Sequence, residues 1–469
     1  MSLQGFYLLP HPPIVLPEIG EGKEKKIAKT GESFDEIGRE IAKKAPSTII
    51  LVTPHGVMFQ DAVALSYEDE IHGDLKNFGV PNVSMKFEIN KELTSKIYEL
   101  AYKEGISSVM ATNSLLNKYN ASVKLDHGAI VPLYFVNKFY ENYKLVHITY
   151  APLSDIELYK FGILIDKAAR ELNENAVFIA SGDLSHKLKE DGPYEYSPYG
   201  EKFDTEFLDA LQKGDVGRVF SIDEKTIDNA GECGRRSAAI LLGALEKKKF
   251  KGELLSYEWT FGVGYGVMKF NVLSEDVSRL GELQSIRTEA YEKRKNQTDP
   301  YVRLARESLT TYLKSGKRIN ELPAYVTDEM KNTKRGVFVS LKKHGELRGC
   351  IGTILPITES TAEEIARNAI EAGVHDPRFY EVENDELMDI TFSVDVLTEP
   401  EPASKEELNP KEYGVIVRYK GKTGLLLPDL DGVNTVEEQI NIALDKAGID
   451  HLEDYTIEKF KVIRHKEEV

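Results

Sequence analysis

At 469 residues the chain is longer than one ordinary domain, so two or three are expected. Hydrophobic residues make up 41% and charged residues 29%, no apolar run is long enough to span a bilayer, and no secretory leader opens the chain, so we expect a cytoplasmic protein without a membrane partner. A formal net charge of −17 argues against extensive nucleic-acid binding, which needs a basic face, and the two cysteines, Cys233 and Cys350, provide no disulfide framework.

From the N-terminus, Phe6-Tyr7-Leu8-Leu9-Pro10 reads as a strand running straight into His11, and a helical pattern follows over 24–44. Ile49-Ile50-Leu51-Val52-Thr53 is a second apolar strand, closed by Pro54-His55-Gly56. A short apolar run with such punctuation suits a strand buried on both faces, as in a parallel sheet. His55 then sits just past the carboxyl edge, where open α/β sheets place their ligands. Two strands thus bring a histidine to one edge, and we take the pair as the floor of a metal site. Further on we expect strand 62–67, helix 91–103, strand 144–150, helix 156–171 and strand 176–181. Helix 199–212, a buried helix over 235–245 and closing strands at 253–259 and 264–270 complete an α/β N-terminal domain, residues 1–275. Residues 276–294 are charged and lack long apolar runs, and are assigned as a linker. From 295 to 469, helices at 301–313, 359–372 and 436–447 mix with strands at 336–341, 347–351, 389–396, 413–419 and 423–427. That mixture has no βαβ rhythm, so the second, smaller domain is expected to be α+β.

Six of the ten histidines lie in the first half: His11, His55, His72, His127, His147 and His186. His127 follows Leu125-Asp126, and His186 ends Ser181-Gly182-Asp183-Leu184-Ser185-His186. The strand over 176–181 stops there, so Asp183 and His186 emerge on the same edge as the first two. Neutral imidazole binds iron, copper or zinc, and two histidines plus one carboxylate leave open positions, the arrangement of non-heme Fe(II) oxygenases. The third ligand is sought in Asn229-Ala230-Gly231-Glu232-Cys233-Gly234-Arg235-Arg236. Glu232 is the hard ligand for Fe(II), while Cys233 suits a softer metal. Adjacent residues point apart, so one of them binds, and we favour Glu232. A single strand-end histidine is more often structural; four in one domain shift the balance toward a site. His72, in a loop, and His147, inside a strand, are taken as ordinary. No His-Glu-x-x-His or Cys-x-x-Cys spacing supports a zinc hydrolase.

The order His11-Pro12-Pro13, Thr53-Pro54-His55-Gly56, Asp126-His127-Gly128 and Ser181 to His186 resembles the catalytic subunit of class III extradiol ring-cleavage dioxygenases (LigB type) and its Memo relatives, over about residues 4–273. The resemblance implies a central mixed sheet flanked by helices. It also implies an Fe(II) centre, with zinc or copper as the other metals, held by His11, His55 and an acidic ligand at or next to Glu232. His186 corresponds to the catalytic acid/base, and His127 to the pocket-lining histidine with Asp183 beside it. The activity implied is an oxidoreductase opening a catecholic small aromatic with O2. The dioxygenases carry Glu-x-x-x-Trp, and here no Trp follows; Glu232-Cys233-Gly234-Arg235 is closer to the Memo relatives, in which a cysteine takes the ligand position. The alternative is therefore a Memo-like metal-binding module without ring-cleavage turnover.

Leu347-Arg348-Gly349-Cys350-Ile351-Gly352-Thr353, His375-Asp376-Pro377-Arg378-Phe379, Ser393 to Leu397 and Gly424 to Pro428 resemble the AMMECR domain over about residues 295–466. Cys350 is expected either as a reactive thiol beside Arg348 or as a strand cysteine with glycines at a bulge. His375 to Arg378 is expected as a pocket rim or an ion-paired turn. Both halves in one chain are similar to the AmmeMemoRadiSam system protein A family, which implies a radical S-adenosylmethionine (radical SAM) partner. The chain has no Cys-x-x-x-Cys-x-x-Cys motif of its own. A homo-oligomer is compatible with these features.

Overall fold

The computed structural model of the chain describes residues 3–467 apart from 297, 298, 344 and 431. It divides into two units, Met1–Ile286 and Arg287–Val469.

In the first unit the apolar runs become strands. These are β1 (Leu3–Leu9), β2 (Thr48–Thr53), β3 (Val63–Ser66), β4 (Glu70–Leu75), β5 (Val80–Glu88), β6 (Ser108–Ala111), β7 (Lys144–Thr149), β8 (Ala176–Ser181), β9 (Lys248–Glu258) and β10 (Tyr265–Glu275). Eight of them form one mixed sheet in the order β6-β3-β7-β2-β8-β1-β10-β9, and β4 pairs with β5 as a separate hairpin. Strands β1, β8, β2 and β7 run parallel to their neighbours in that series, and β10 and β9 close the edge antiparallel. Both faces are covered, so alternate residues of one strand enter two cores: Ile50 and Val52 on one side, Ile49 and Leu51 on the other.

The helices labelled here are α1 (Ala28–Lys44), α2 (Lys91–Lys103), α3 (His127–Asn137), α4 (Asp155–Glu171), α5 (Pro198–Lys213) and α6 (Arg235–Ala244). Helix α1 buries Phe34, Ile37 and Ile41, a helical spacing that turns one apolar stripe to the sheet. Each such large side chain contributes roughly 1.5–3 kcal/mol. Helix α4 starts at a capping box, Ser154 with Glu157. Hairpin β4–β5, strand β6 and helix α3 were not anticipated. Helix α3 is apolar all round and carries Pro132 inside it, so it offers neither an amphipathic stripe nor an uninterrupted helical pattern.

Residues 276–294, expected as a linker, carry helix α7 (Leu280–Lys295), and the division between the units falls inside it. The second unit contains α8 (Pro300–Ser315), β11 (Val337–Lys343), β12 (Glu346–Gly352), α9 (Thr361–Val374), β13 (Ile390–Leu397), β14 (Glu401–Pro402), β15 (Gly414–Tyr419), β16 (Lys422–Leu426), α10 (Val436–Ala447), β17 (Thr456–Phe460) and β18 (Val462–Lys466). Its two antiparallel sheets have the orders β12-β11-β13-β18 and β14-β17-β15-β16, so the unit is α+β. Helices α8 and α9 cover one sheet, and α10 covers the other. No helix among the described residues is long and apolar enough to cross a membrane.

The conspicuous motifs of this unit have structural duties. The register of β11 and β12 slips opposite Arg348, and a Cβ on Gly349 would lie 2.1 Å from the Ala372 carbonyl oxygen, so the glycine permits a bulge against α9. The Arg348 guanidinium donates to both Glu386 oxygens (3.1 and 2.9 Å) and to the carbonyls of Tyr380 and Glu381. At the open edge of β12, Cys350 N–H donates to Asp376 Oδ2 (2.9 Å) and Arg378 Nη2 donates to Cys350 O (3.0 Å). Arg378 also pairs with Asp376 at 2.7 Å, so His375 to Arg378 is an ion-paired turn. Under the sheet, the buried Arg306 guanidinium meets Glu467 at 2.6 and 2.8 Å and donates to Leu387 O at 3.1 Å.

Glu467→Ala is expected to cost about 3–5 kcal/mol, because it leaves the Arg306 charge buried and unpaired; the melting of the second unit would measure it. Burial alone would raise the Glu386 carboxyl, yet Arg348, the Glu383 N–H and Lys343 hold it down to about 2. The carboxylate's contribution is therefore present above its ordinary value of about 4.3 and lost as pH falls from there toward 2. Acid unfolding curves of Glu386→Gln should lack that limb, worth about 2–3 kcal/mol.

Candidate metal centre

Strands β1, β8 and β2 lie side by side and parallel, so their carboxyl ends deliver His11, the Asp183 to His186 segment and His55 to one rim. His11 Nε2 and His55 Nε2 are 3.0 Å apart, and Cys233 Sγ is 3.6 Å from His11 Nε2. One ligand atom from each of these residues lies within 4.8 Å of the others. Metal–nitrogen and metal–sulfur bonds of about 2.0–2.3 Å span such separations with a single ion. The residues present therefore fit one metal ion.

The surroundings prepare His11 for that role. Ser181 Oγ donates its only proton to Gly128 O (2.5 Å), so His11 Nδ1, 2.9 Å from the same oxygen, must be the donor in that contact. The tautomer so assigned leaves a lone pair on Nε2, pointing at His55. The His11 backbone N–H donates to Asp183 Oδ1 at 2.7 Å. Burial, then the neighbouring His55, pushes the His11 imidazole well below its usual value, which keeps it in the neutral form that binds metals.

Glu232, the third ligand we favoured, lies outside this trio. Its Oε2 accepts the Arg235 backbone N–H (2.6 Å) at the start of α6, and its other oxygen is 3.9 Å from Arg235 Nε. Burial raises this carboxyl above its usual range, and the Arg235 charge and backbone N–H at the helix start work against that rise. Cys233 turns inward instead. Its N–H donates to Asp183 O (3.3 Å), Asp183 N–H donates to its sulfur (3.2 Å), and Tyr150 OH donates to its carbonyl (3.1 Å). Burial, then the Asp183 charge, pushes the thiol up. This exchange needs two glycines in backbone contact: a Cβ on Gly182 would lie 2.1 Å from Gly234 Cα.

The remaining expected residues line the same rim. His127 begins α3, stacked on His55 with ring centroids 4.3 Å apart and edge-on to His11 at 5.2 Å. His186 N–H is held by the carbonyls of Ala230 and Gly231, 3.3 Å each, and its ring stacks on Tyr194. Burial pushes Asp183 up to about 6.

His147, an ordinary strand residue by its sequence, lies outside the trio and supports the residue that caps α3. Its Nε2 meets Asp126 Oδ2 (3.2 Å), its Nδ1 meets Ser66 Oγ (2.8 Å), and Thr53 Oγ1 donates to Asp126 Oδ1 (2.6 Å). Asp126 caps α3 by accepting Ala129 N–H (3.2 Å). Burial would raise Asp126, but His147 and Thr53 outweigh it and keep the carboxylate charged. The Asp126 before His127 was a signal that a donor must face it; which residue did so depended on strand register.

Residues 5–268 match the family model described as the catalytic LigB subunit of aromatic ring-opening dioxygenase, and residues 302–469 match that of AMMECR1. A Clostridium acetobutylicum protein is 69% identical over 467 residues, 100% of each chain. A Thermotoga maritima protein is 48% identical over 170 residues, 34% of this chain and 97% of its own length. Among solved structures, an Escherichia coli K12 protein covers 56% of this chain and 98% of its own at 13% identity, with a TM-score of 0.38.

Gly182→Ala is expected to part the Asp183 and Cys233 segments, lowering stability by about 1–3 kcal/mol and reducing bound metal. Thermal unfolding and metal analysis of the purified variant would check both.

Proposed function

The chain belongs over residues 5–268 to the family of the catalytic LigB subunit of aromatic ring-opening dioxygenase, followed over 302–469 by an AMMECR1 domain, and on that premise we propose that the first unit is a metal-dependent, dioxygenase-like oxidoreductase acting on a catecholic or related small aromatic with O2. The observation that carries this is the meeting of His11, His55 and Cys233 at the sheet rim. Fe(II) is the metal we propose, with zinc or copper as alternatives that a thiolate ligand favours. A bound ion supplies Lewis-acid polarisation and a template for a chelating diol and O2.

The protein's own groups supply the rest. Burial lowers the His186 imidazole, so the ring is free to accept a proton from a substrate hydroxyl and return it later. His127 forms a wall by stacking on His55. Asp183 ties the His11 backbone to the Cys233 loop, holding the two ligand-bearing segments together.

Cys233, standing where a carboxylate is usual in ring-opening enzymes, favours a second reading. In it the unit is a Memo-like metal-binding module without ring cleavage, working with a radical SAM protein that brings its own iron–sulfur cluster.

Cys233→Ala is expected to weaken metal binding by more than about tenfold, and Glu232→Ala to leave it nearly unchanged; the opposite pattern would reinstate Glu232 as ligand. Anaerobically loaded protein should hold one metal ion and consume O2 with at least one member of a catechol panel. Metal retained without O2 uptake across the panel selects the second reading, and failure to hold metal overturns both.

A further inference from the structure

Two aromatic rings continue the imidazole walls outward. Tyr194 stacks on His186 with centroids 5.2 Å apart and planes 24° from parallel. Phe78 lies 5.2 Å from His127. They come from separate segments, and both stay in contact with water, 52% and 41% exposed. One exposed aromatic on a surface is ordinary. Two, each packed on a different histidine of one rim, are a recurring arrangement that calls for a common cause.

The segments that carry both rings are anchored by backbone hydrogen bonds. Phe78 ends a short helical turn that Gly79 closes at φ 83°, a left-handed conformation suited to glycine, with Gly79 N–H donating to Lys76 O at 2.9 Å. The β4–β5 hairpin that carries it is stitched to the chain just before His127. Leu125 N–H donates to His72 O (3.0 Å), and a Cβ on Gly73 would lie 2.3 Å from Leu125 O, so the two backbones touch. The Tyr194 loop is tied on both sides: Leu188 N–H donates to Gly262 O (3.1 Å), and Ser197 N–H to Lys187 O (3.0 Å). Segments anchored in this way keep the two rings at the rim without the ordering cost that a mobile loop would incur on binding.

The imidazoles beneath them are themselves part of a stacked series, His127 on His55 and His186 on Tyr194. Aromatic faces of this kind prefer offset stacking with another flat ring. An aliphatic chelator with the same pair of oxygen donors has no face to offer them.

We infer that Phe78 and Tyr194 are specificity-determining residues of the rim, forming an aromatic shelf that packs against a flat conjugated ring and so selects aromatic over aliphatic chelators. The inference rests on the dioxygenase-like reading above and names two residues that decide which ligands enter.

The test uses the full chain loaded anaerobically with Fe(II) and titrated with 4-nitrocatechol, whose visible spectrum changes on chelation. Acetohydroxamate, an aliphatic chelator, is measured by competition. Phe78→Ala and Tyr194→Ala are each expected to weaken 4-nitrocatechol by about two- to tenfold while leaving metal content and acetohydroxamate affinity unchanged. Tyr194→Phe, which keeps the ring, should bind as the unaltered chain does. If the unaltered chain binds 4-nitrocatechol and both alanine variants match it, or if they weaken both chelators alike, the shelf is overturned and the dioxygenase-like reading stands. If the unaltered chain retains Fe(II) but leaves the 4-nitrocatechol spectrum unchanged, that reading falls and the shelf falls with it.

Discussion

The chemistry of the first unit depends on one backbone contact, that between Gly182 and Gly234. Neither residue has a side chain to hold the two segments apart, and any Cβ at the first would overlap the second. Because they touch, Asp183 and Cys233 exchange hydrogen bonds through N–H, C=O and sulfur, and the thiol reaches His11. A loop from the start of α6 is thereby joined to the end of β8. Without that closeness the rim would hold two histidines and no third donor.

Around this contact the polar groups are arranged in layers. The His11, His55 and Cys233 donor atoms meet at the centre. Behind them Ser181 sets the His11 tautomer, and Asp126, fixed by His147 and Thr53, fastens the helix that carries His127. Ser181, Asp126, His147 and Thr53 are all paired in this layer, as a low-dielectric environment favours. The second unit applies the same rule with full charges, pairing Arg306 with Glu467 beneath its sheet.

The rim positions of His11, His55 and the Asp183 to His186 segment were legible because an apolar run closed by Pro or Gly fixes both the strand and the point where the chain leaves it. Strand order was not: β8 lies between the two histidine strands, and nothing in their own residues announces it. Glu232 and Cys233 could not be told apart from their types, because the outcome turned on which side chain the first turn of α6 would capture. His147 looked ordinary since its role depends on β3 lying beside β7, a pairing between segments some eighty residues apart in sequence. Helix α3 was concealed by its uniform apolarity, and strands β17 and β18 by the charged residues in Thr456–Phe460 and Val462–Lys466.

Strand β12 ends its sheet, yet the Cys350 peptide groups there are already taken by Asp376 and Arg378. The two side chains imitate the hydrogen bonds of a missing neighbour. An incoming strand, from another copy or from an extended peptide, would have to displace an ion pair before it could extend the row. At Cys350 that border is thus guarded against templated growth, and the protection comes from two side chains with no additional strand.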